Sequence, residues 1–234
     1  TGTASGTTLT VDQDVPAITS VNSGTANGTY NAGDVISIYV ITDEAIIVSG
    51  APQLTLETGD NDADVNYSSG SGSVVLYFNY TIGSGENSSD LDYASTGALG
   101  LNGGTMTDAA GNSLTLTLPT PGDANSLGAN KALVVDTTTP TLTSVSIVSD
   151  NTTNTLATTG DDVTLTITAS ETIAQPVVTF QSGSNAITDT TIVYSNTSGN
   201  TWTAVYTANG NDTNGSVTFS VAFSDSVGNA GTAV

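Results

Sequence analysis

Acidic side chains recur at matched places in this sequence, and without histidine or cysteine beside them such oxygen donors do one chemistry well: they hold hard divalent cations. Asp12 and Asp14 precede Pro16, and Asp136 precedes Pro140. Glu44 lies just beyond the run DVISIYVIT, and Glu171 follows DVTLTITAS. Asp108 and Asp225 each open an Asp-x-x-Gly-Asn sequence. Carboxylates number 22 against a single basic residue, Lys131, for a formal net charge of −21. Carboxylates gathered without Lys or Arg repel one another, and an ion that takes six to eight oxygens offsets that repulsion. Calcium suits irregular loops better than magnesium, which demands a compact octahedron. A second reading stays open at each position: Asp in Asp-x-x-Gly-Asn shapes a turn by hydrogen bonds to its own backbone, and Glu44 is a solvated loop residue. The acidic run Gly59 to Asp64 lacks the Gly and Glu that an EF-hand loop requires, so it reads as a hairpin tip.

Other chemistries lack their materials. With no His, Cys or Arg there is no standard triad, thiol nucleophile, zinc site or phosphate clamp. Two carboxylates can hydrolyse a glycoside only in a cleft that positions a sugar, and the single Trp, Trp202, sits in a core pattern. The chain therefore reads as no enzyme. Its charge excludes nucleic-acid partners and disfavours anionic lipid, and no apolar run is long enough to insert in a membrane.

The elements that must position these residues are strands. Turn residues recur every eight to twelve positions, and alternation runs through the segments between them, the pattern of an all-β chain. DVISIYVIT places Ile36, Ile38 and Val40 on one face, SVVLYFNYTI places Val74, Leu76, Phe78, Tyr80 and Ile82 on one face, and DVTLTITAS buries Val163, Leu165 and Ile167. Trp202 and Phe219 are expected core aromatics. The chain also repeats itself: DQDVPAITSV at Asp12 matches DTTTPTLTSV at Asp136, Gly33-Asp34 matches Gly160-Asp161, Glu44 matches Glu171, and APQLTLETG at Ala51 matches QPVVTFQSG at Gln175. Units of 124 and 110 residues follow, both in the range of a sandwich domain. The expected boundaries are 13–136 for a long first domain and 137–234 for the second, with residues 1–12 read as the last strand of a preceding or neighbouring sandwich.

The Asp-x-x-x-Pro opening, the Gly-Asp strand start, the Glu about ten residues later and the closing Asp-x-x-Gly-Asn resemble the bacterial immunoglobulin-like repeats of large calcium-dependent surface adhesins and extracellular fibres. The resemblance covers nearly the whole chain and marks the module, not a ligand. It implies two tandem immunoglobulin-like β-sandwiches, an extracellular or cell-surface location, and Ca2+ at the joints. In that fold the second-to-third and sixth-to-seventh loops lie at the linker end. Glu44 and Asp108 would then meet Asp12 and Asp14, and Glu171 and Asp225 would meet Asp136. The expected function is a structural extender. The alternatives are a module that binds surface glycans, and a filament subunit polymerising by donor-strand complementation. The tail read onto the head, from Asp225 to Val234 and then Thr1 to Pro16, gives a turn, a strand and a linker. Head-to-tail copies are thus the expected partners, the 1–12 strand of one completing the second domain of the next.

Overall fold

The computed structural model describes residues 9–234, and the chain divides into two compact units, Thr1–Thr137 and Thr138–Val234. Most of the segment expected to be a closing strand, residues 1–8, lies outside the described residues. Leu9 to Asp12 carries no strand and is exposed.

Unit 1 contains β1 (Ile18–Ser23), β2 (Gly28–Tyr30), β3 (Val35–Ser49), β4 (Gln53–Leu56), β5 (Ala63–Ser69), β6 (Ser73–Thr81), β7 (Leu99–Gly100), β8 (Thr105–Thr107), the short helix α1 (Leu127–Asn130) and β9 (Leu133–Val135). The order β1-β3-β6-β5-β4-β7, with β8 also on β3, folds into two layers because two strands change partners along their length. β5 pairs with β4 through Ala63 to Asn66 and with β6 through Tyr67 and Ser69. β3 pairs with β1 and β6 up to its register shift between Ile41 and Ile46, then with β8. Such partner switches at bulges let one strand serve both faces of a sandwich. Between the faces lies the core: Ile36, Ile38 and Val40 stand opposite Tyr80, Phe78 and Leu76, all buried, as their alternation requires. Val74 keeps its expected parity but is 41% exposed and not buried. It stands beside the β5–β6 turn, where Ser73 bonds back to Gly70 and the opposing layer no longer covers the strand.

The closing strand of unit 1 is interrupted. After the turn at Asp108, Leu114 donates to the Met106 carbonyl and Leu118 to the Thr96 carbonyl (both 2.9 Å). The chain then leaves as a loop and α1. Asp92 holds this loop by accepting from the Gly122 N–H at 2.9 Å, and Tyr93 donates its hydroxyl to the Pro119 carbonyl at 2.6 Å. The strand resumes as β9, parallel to β2.

Unit 2 contains β10 (Leu142–Ser149), β11 (Asp162–Ala169), β12 (Val177–Ser182), β13 (Asn185–Ala186), β14 (Val193–Asn196), β15 (Thr201–Thr207) and β16 (Val217–Ala222). Its sheets run β10-β11-β15-β14 and β13-β12-β16. Apart from the short return β13, the first, second, fifth and fourth strands share one sheet, and the third and sixth share the other. That is the immunoglobulin-like order. Val163, Leu165 and Ile167 are buried as expected, against Phe180, Ala204 and Tyr206. Trp202 and Phe219 pack on this core but are only partly buried, which corrects their expected place within it. The C-terminal tail runs back along β16 without forming a strand of its own: Gly231 donates to the Phe223 carbonyl at 3.0 Å and Val234 exchanges both backbone bonds with Val221 (2.7 and 3.2 Å).

Local chemistry explains why the same elements form twice. Gly33 and Gly160 turn the chain at φ +93 and +95, a conformation that favours glycine. The following Asp caps each turn: Asp34 accepts from the Asn31 N–H at 3.0 Å and Asp161 from the Thr158 N–H at 2.7 Å. Hydrogen bonds from the Asn151 side chain, then from Thr158, hold the Asp161 carboxyl below the ordinary carboxylate range.

Candidate metal centre

In unit 1 the linker residue Asp12, Glu44 and Asp108 bring carboxylate oxygens within 4.8 Å of one another. Each arrives by a different route. Asp12 lies four residues before Pro16, in the strandless segment that leads into β1. Glu44 belongs to β3 and not, as expected, to a connecting loop. It occupies the bulge between Ile41 and Ile46, where the Thr42 hydroxyl donates to the Glu44 carbonyl at 2.7 Å, so the strand continues through the position where a loop was expected. Asp108 follows β8 and is buried.

Asp108 also shapes its turn. Its Oδ1 accepts from the N–H groups of Gly111 and Asn112 at 2.7 and 2.8 Å, and Oδ2 accepts from Asn112 Nδ2 at 2.7 Å. Asn112 Nδ2 reaches the Asp12 carbonyl at 3.4 Å as well, tying the turn to the linker. Burial raises the Asp108 pKa, but these bonds outweigh it and leave the carboxyl below its usual range. The turn-forming reading of Asp-x-x-Gly-Asn therefore holds, and it leaves room for a ligand, because a carboxylate offers about four acceptor positions.

Glu44 moves the other way. Desolvation raises its pKa first, and the charges of Asp108, Asp12, Asp43 and Asp14 add to that. This is the electrostatic signature of carboxylates facing one another without a counter-charge. Asp14 contributes to that field but is not one of the three clustered residues; its N–H donates to Asp12 Oδ1 at 3.1 Å. Sequence reasoning missed Asp43, whose Oδ1 accepts from the Ala17 N–H at 2.8 Å and fixes the chain just past Pro16. The adjacent Asp-Glu pair inside an apolar strand pattern was its signal.

Unit 2 repeats the arrangement. Asp225 is buried and accepts from Val227, Gly228 and Asn229 N–H groups at 3.0, 2.7 and 2.8 Å and from Asn229 Nδ2 at 2.7 Å. Glu171, on the segment after β11, brings a carboxylate oxygen within 4.8 Å of it. Asp136 ends β9 of unit 1, its N–H donating to the Tyr30 carbonyl at 2.9 Å.

The three carboxylates at Asp12 fit a calcium ion in donor type and spacing. They supply three of the six to eight oxygens it takes, leaving the rest to backbone carbonyls and water. They lack the histidine and cysteine ligands around which structural and catalytic zinc sites are built.

No family model matches this sequence, and no curated protein matches it. Among solved structures, a chimeric titin Z1Z2 carrying a decorin peptide is 14% identical, with 94% of this chain and 96% of that chain covered and a TM-score of 0.25. Bovine butyrophilin is 10% identical, with 94% and 97% covered and a TM-score of 0.30. The tandem Ig repeats of Dlar are 13% identical, with 94% and 93% covered and a TM-score of 0.21. Among the described residues no helix is long and apolar enough to cross a membrane.

Proposed function

We propose that this chain is a structural extender of an extracellular, cell-surface adhesin or filament of the bacterial immunoglobulin-like repeat kind, with calcium holding the joints between repeats. The observation that carries this reading is the cluster of Asp12, Glu44 and Asp108 within 4.8 Å in a chain whose one basic residue is Lys131. Asp12 belongs to the segment leading into the unit, while Glu44 and Asp108 belong to the sandwich. An ion shared among them ties segment to sandwich, and removing it leaves three like charges that push the two apart. In the sequence repeat Asp136, Glu171 and Asp225 hold the places of Asp12, Glu44 and Asp108. A string of sandwiches becomes a semi-rigid rod when each joint is held in this way. Calcium concentrations outside cells match sites of this class, whose dissociation constants are on the order of 10⁻⁴ to 10⁻³ M.

Calorimetric titration of calcium tests the assignment. Two sites per chain are expected, one lost in Glu44→Gln and the other in Glu171→Gln. A stoichiometry unchanged by both substitutions sinks it.

A further inference from the structure

We propose that unit 2 carries a strand-accepting groove for the segment Leu9 to Asp12 of a second copy of this chain. Unit 1 supplies the template. There β9 seats Leu133 and Val135 in the core, 0% and 2% exposed, between two walls. On one wall Gly28, Thr29 and Tyr30 pair in parallel with Leu133, Val134 and Val135. On the other, Ser88 exchanges both backbone bonds with Val135 (2.9 and 2.8 Å), and the Leu91 N–H donates to the Leu133 carbonyl at 2.8 Å.

Unit 2 has both walls. Gly160-Asp161 lies over Gly33-Asp34, and the backbone bonds of Gly160 to Ala208 and Gly33 to Ile82, both 2.9 Å, show the same geometry. Thr155, Leu156 and Ala157 therefore stand where Gly28, Thr29 and Tyr30 stand. On the far wall Leu56 bridges Tyr93, and its counterpart Phe180 pairs with Phe219, which places Val217 at the position of Leu91. Between the walls is an open groove of about 540 Å³ lined by Ile147, Leu156 and Val217 among others. Leu156 is 63% exposed. Val217 and Phe219 are only partly buried, where Leu91 and Tyr93 of unit 1 are 0% and 1% exposed. β16 is the last strand of its sheet, and backbone groups alternate in direction along a strand. Val221 faces Val234, so Phe219 and Val217 offer their N–H and C=O groups on that same side.

The occupant is written in the sequence. Leu9-Thr10-Val11-Asp12 runs in step with Leu133-Val134-Val135-Asp136, and a Pro follows at the same distance, Pro16 and Pro140. Leu9 and Val11 are 90% and 77% exposed, while their counterparts are core residues. Docking in the template register sets Leu9 against Thr155, Thr10 against Leu156 and Val11 against Ala157, parallel, as an added strand. The segment of one copy and the groove of the next are different surfaces, so the association is head-to-tail and open-ended. The inference rests on the repeat-array reading above; of its cation ligands only Asp12 lies in the docking segment, and docking asks nothing of its carboxylate.

The sequence has no cysteine, so single substitutions can report the register. In calcium-free buffer at about 0.15 M salt, where exposed charges are screened beyond about 8 Å, a Thr10→Cys chain is expected to form an intermolecular disulfide with a Leu156→Cys chain on oxidation. It should form none with Thr158→Cys, two residues out of step. Sedimentation should show concentration-dependent oligomers of the wild-type chain and monomers of Leu9→Asp/Val11→Asp. A peptide of residues 5–16 should dissolve the oligomers and raise the unfolding midpoint of unit 2, read from Trp202 fluorescence, by on the order of 5 °C. Equal cross-linking to Thr158→Cys, association of the double variant like the wild type, or a monomeric wild type that ignores the peptide overturns the proposal. Because the buffer holds no calcium, each of these failures is distinguishable from a failure of the cation sites.

Discussion

Leu133→Ala is expected to lower the stability of unit 1 by about 2 to 5 kcal/mol, the range for truncating a fully buried leucine. Leu133 is 0% exposed, and its side chain packs in a cluster that includes Leu91, Leu127 and Val135. The strand carrying it is three residues long, so neighbouring strands have little means of collapsing into the space left behind. Leu9→Ala, the same change at the repeat-equivalent position, is expected to leave the monomer's stability unaltered within about 0.5 kcal/mol, because an exposed side chain loses almost nothing on truncation. The readouts separate cleanly. Trp202 is the only tryptophan and belongs to unit 2, so its fluorescence transition should stay in place while the far-UV circular dichroism transition of unit 1 moves down. Unchanged unit 1 stability in the Leu133→Ala variant would mean that β9 is not part of the working core.

Calcium at about 10 mM is expected to stabilise unit 1 by about 1.4 to 2.7 kcal/mol, which is what one native-state site with a dissociation constant of 10⁻³ to 10⁻⁴ M contributes at that concentration. Glu44→Gln should abolish this gain, and the sign of its calcium-free effect is a further check. The pKa of Glu44 in the folded protein is raised by desolvation and by its acidic neighbours. Without calcium, the folded state therefore holds the Glu44 proton more tightly than the unfolded chain does, and stability declines as pH climbs from the ordinary value of 4.5 through the folded one. At neutral pH the Gln variant escapes that decline, so it should be at least as stable as the wild type without calcium and less stable with it. A Gln variant that loses stability without calcium and still gains it with calcium would assign Glu44 a structural role instead. Denaturation at fixed ionic strength separates this from the general screening of a chain carrying −21 charges.

The strands of the cores were legible because their alternation is strict: Ile36, Ile38 and Val40 face inward as their spacing requires. So was the twofold repetition, since the Gly-Asp turns and Asp-x-x-Gly-Asn turns each depend on a few side-chain bonds that leave little freedom in residue type. Glu44 was harder to place, because periodicity does not reveal that a strand continues through a bulge; that depends on partners distant in sequence, Val75 and Ser73 of β6. Val74 was misread for a related reason. Its parity is right, but burial also needs a second layer above it, and the sheet ends there. Phe219 has the parity of a core residue but is only partly buried, on the last strand of its sheet. The groove itself could not be read from sequence, since it is a difference in coverage between apolar residues at matched positions, Leu91 and Tyr93 buried, Val217 and Phe219 partly exposed. It emerges only when Leu91 and Val217 are compared at equivalent positions.

On the proposed reading, calcium shared among carboxylates would turn a jointed chain into a stiff one. Small-angle X-ray scattering from the same monomeric preparation, Leu9→Asp/Val11→Asp to prevent association, with calcium and then with chelator, tests this most directly. The account predicts a longer maximum dimension and a narrower distance distribution with calcium, and a shorter, broader distribution after chelation while both sandwiches remain folded by circular dichroism. Identical distance distributions in the two conditions would contradict it.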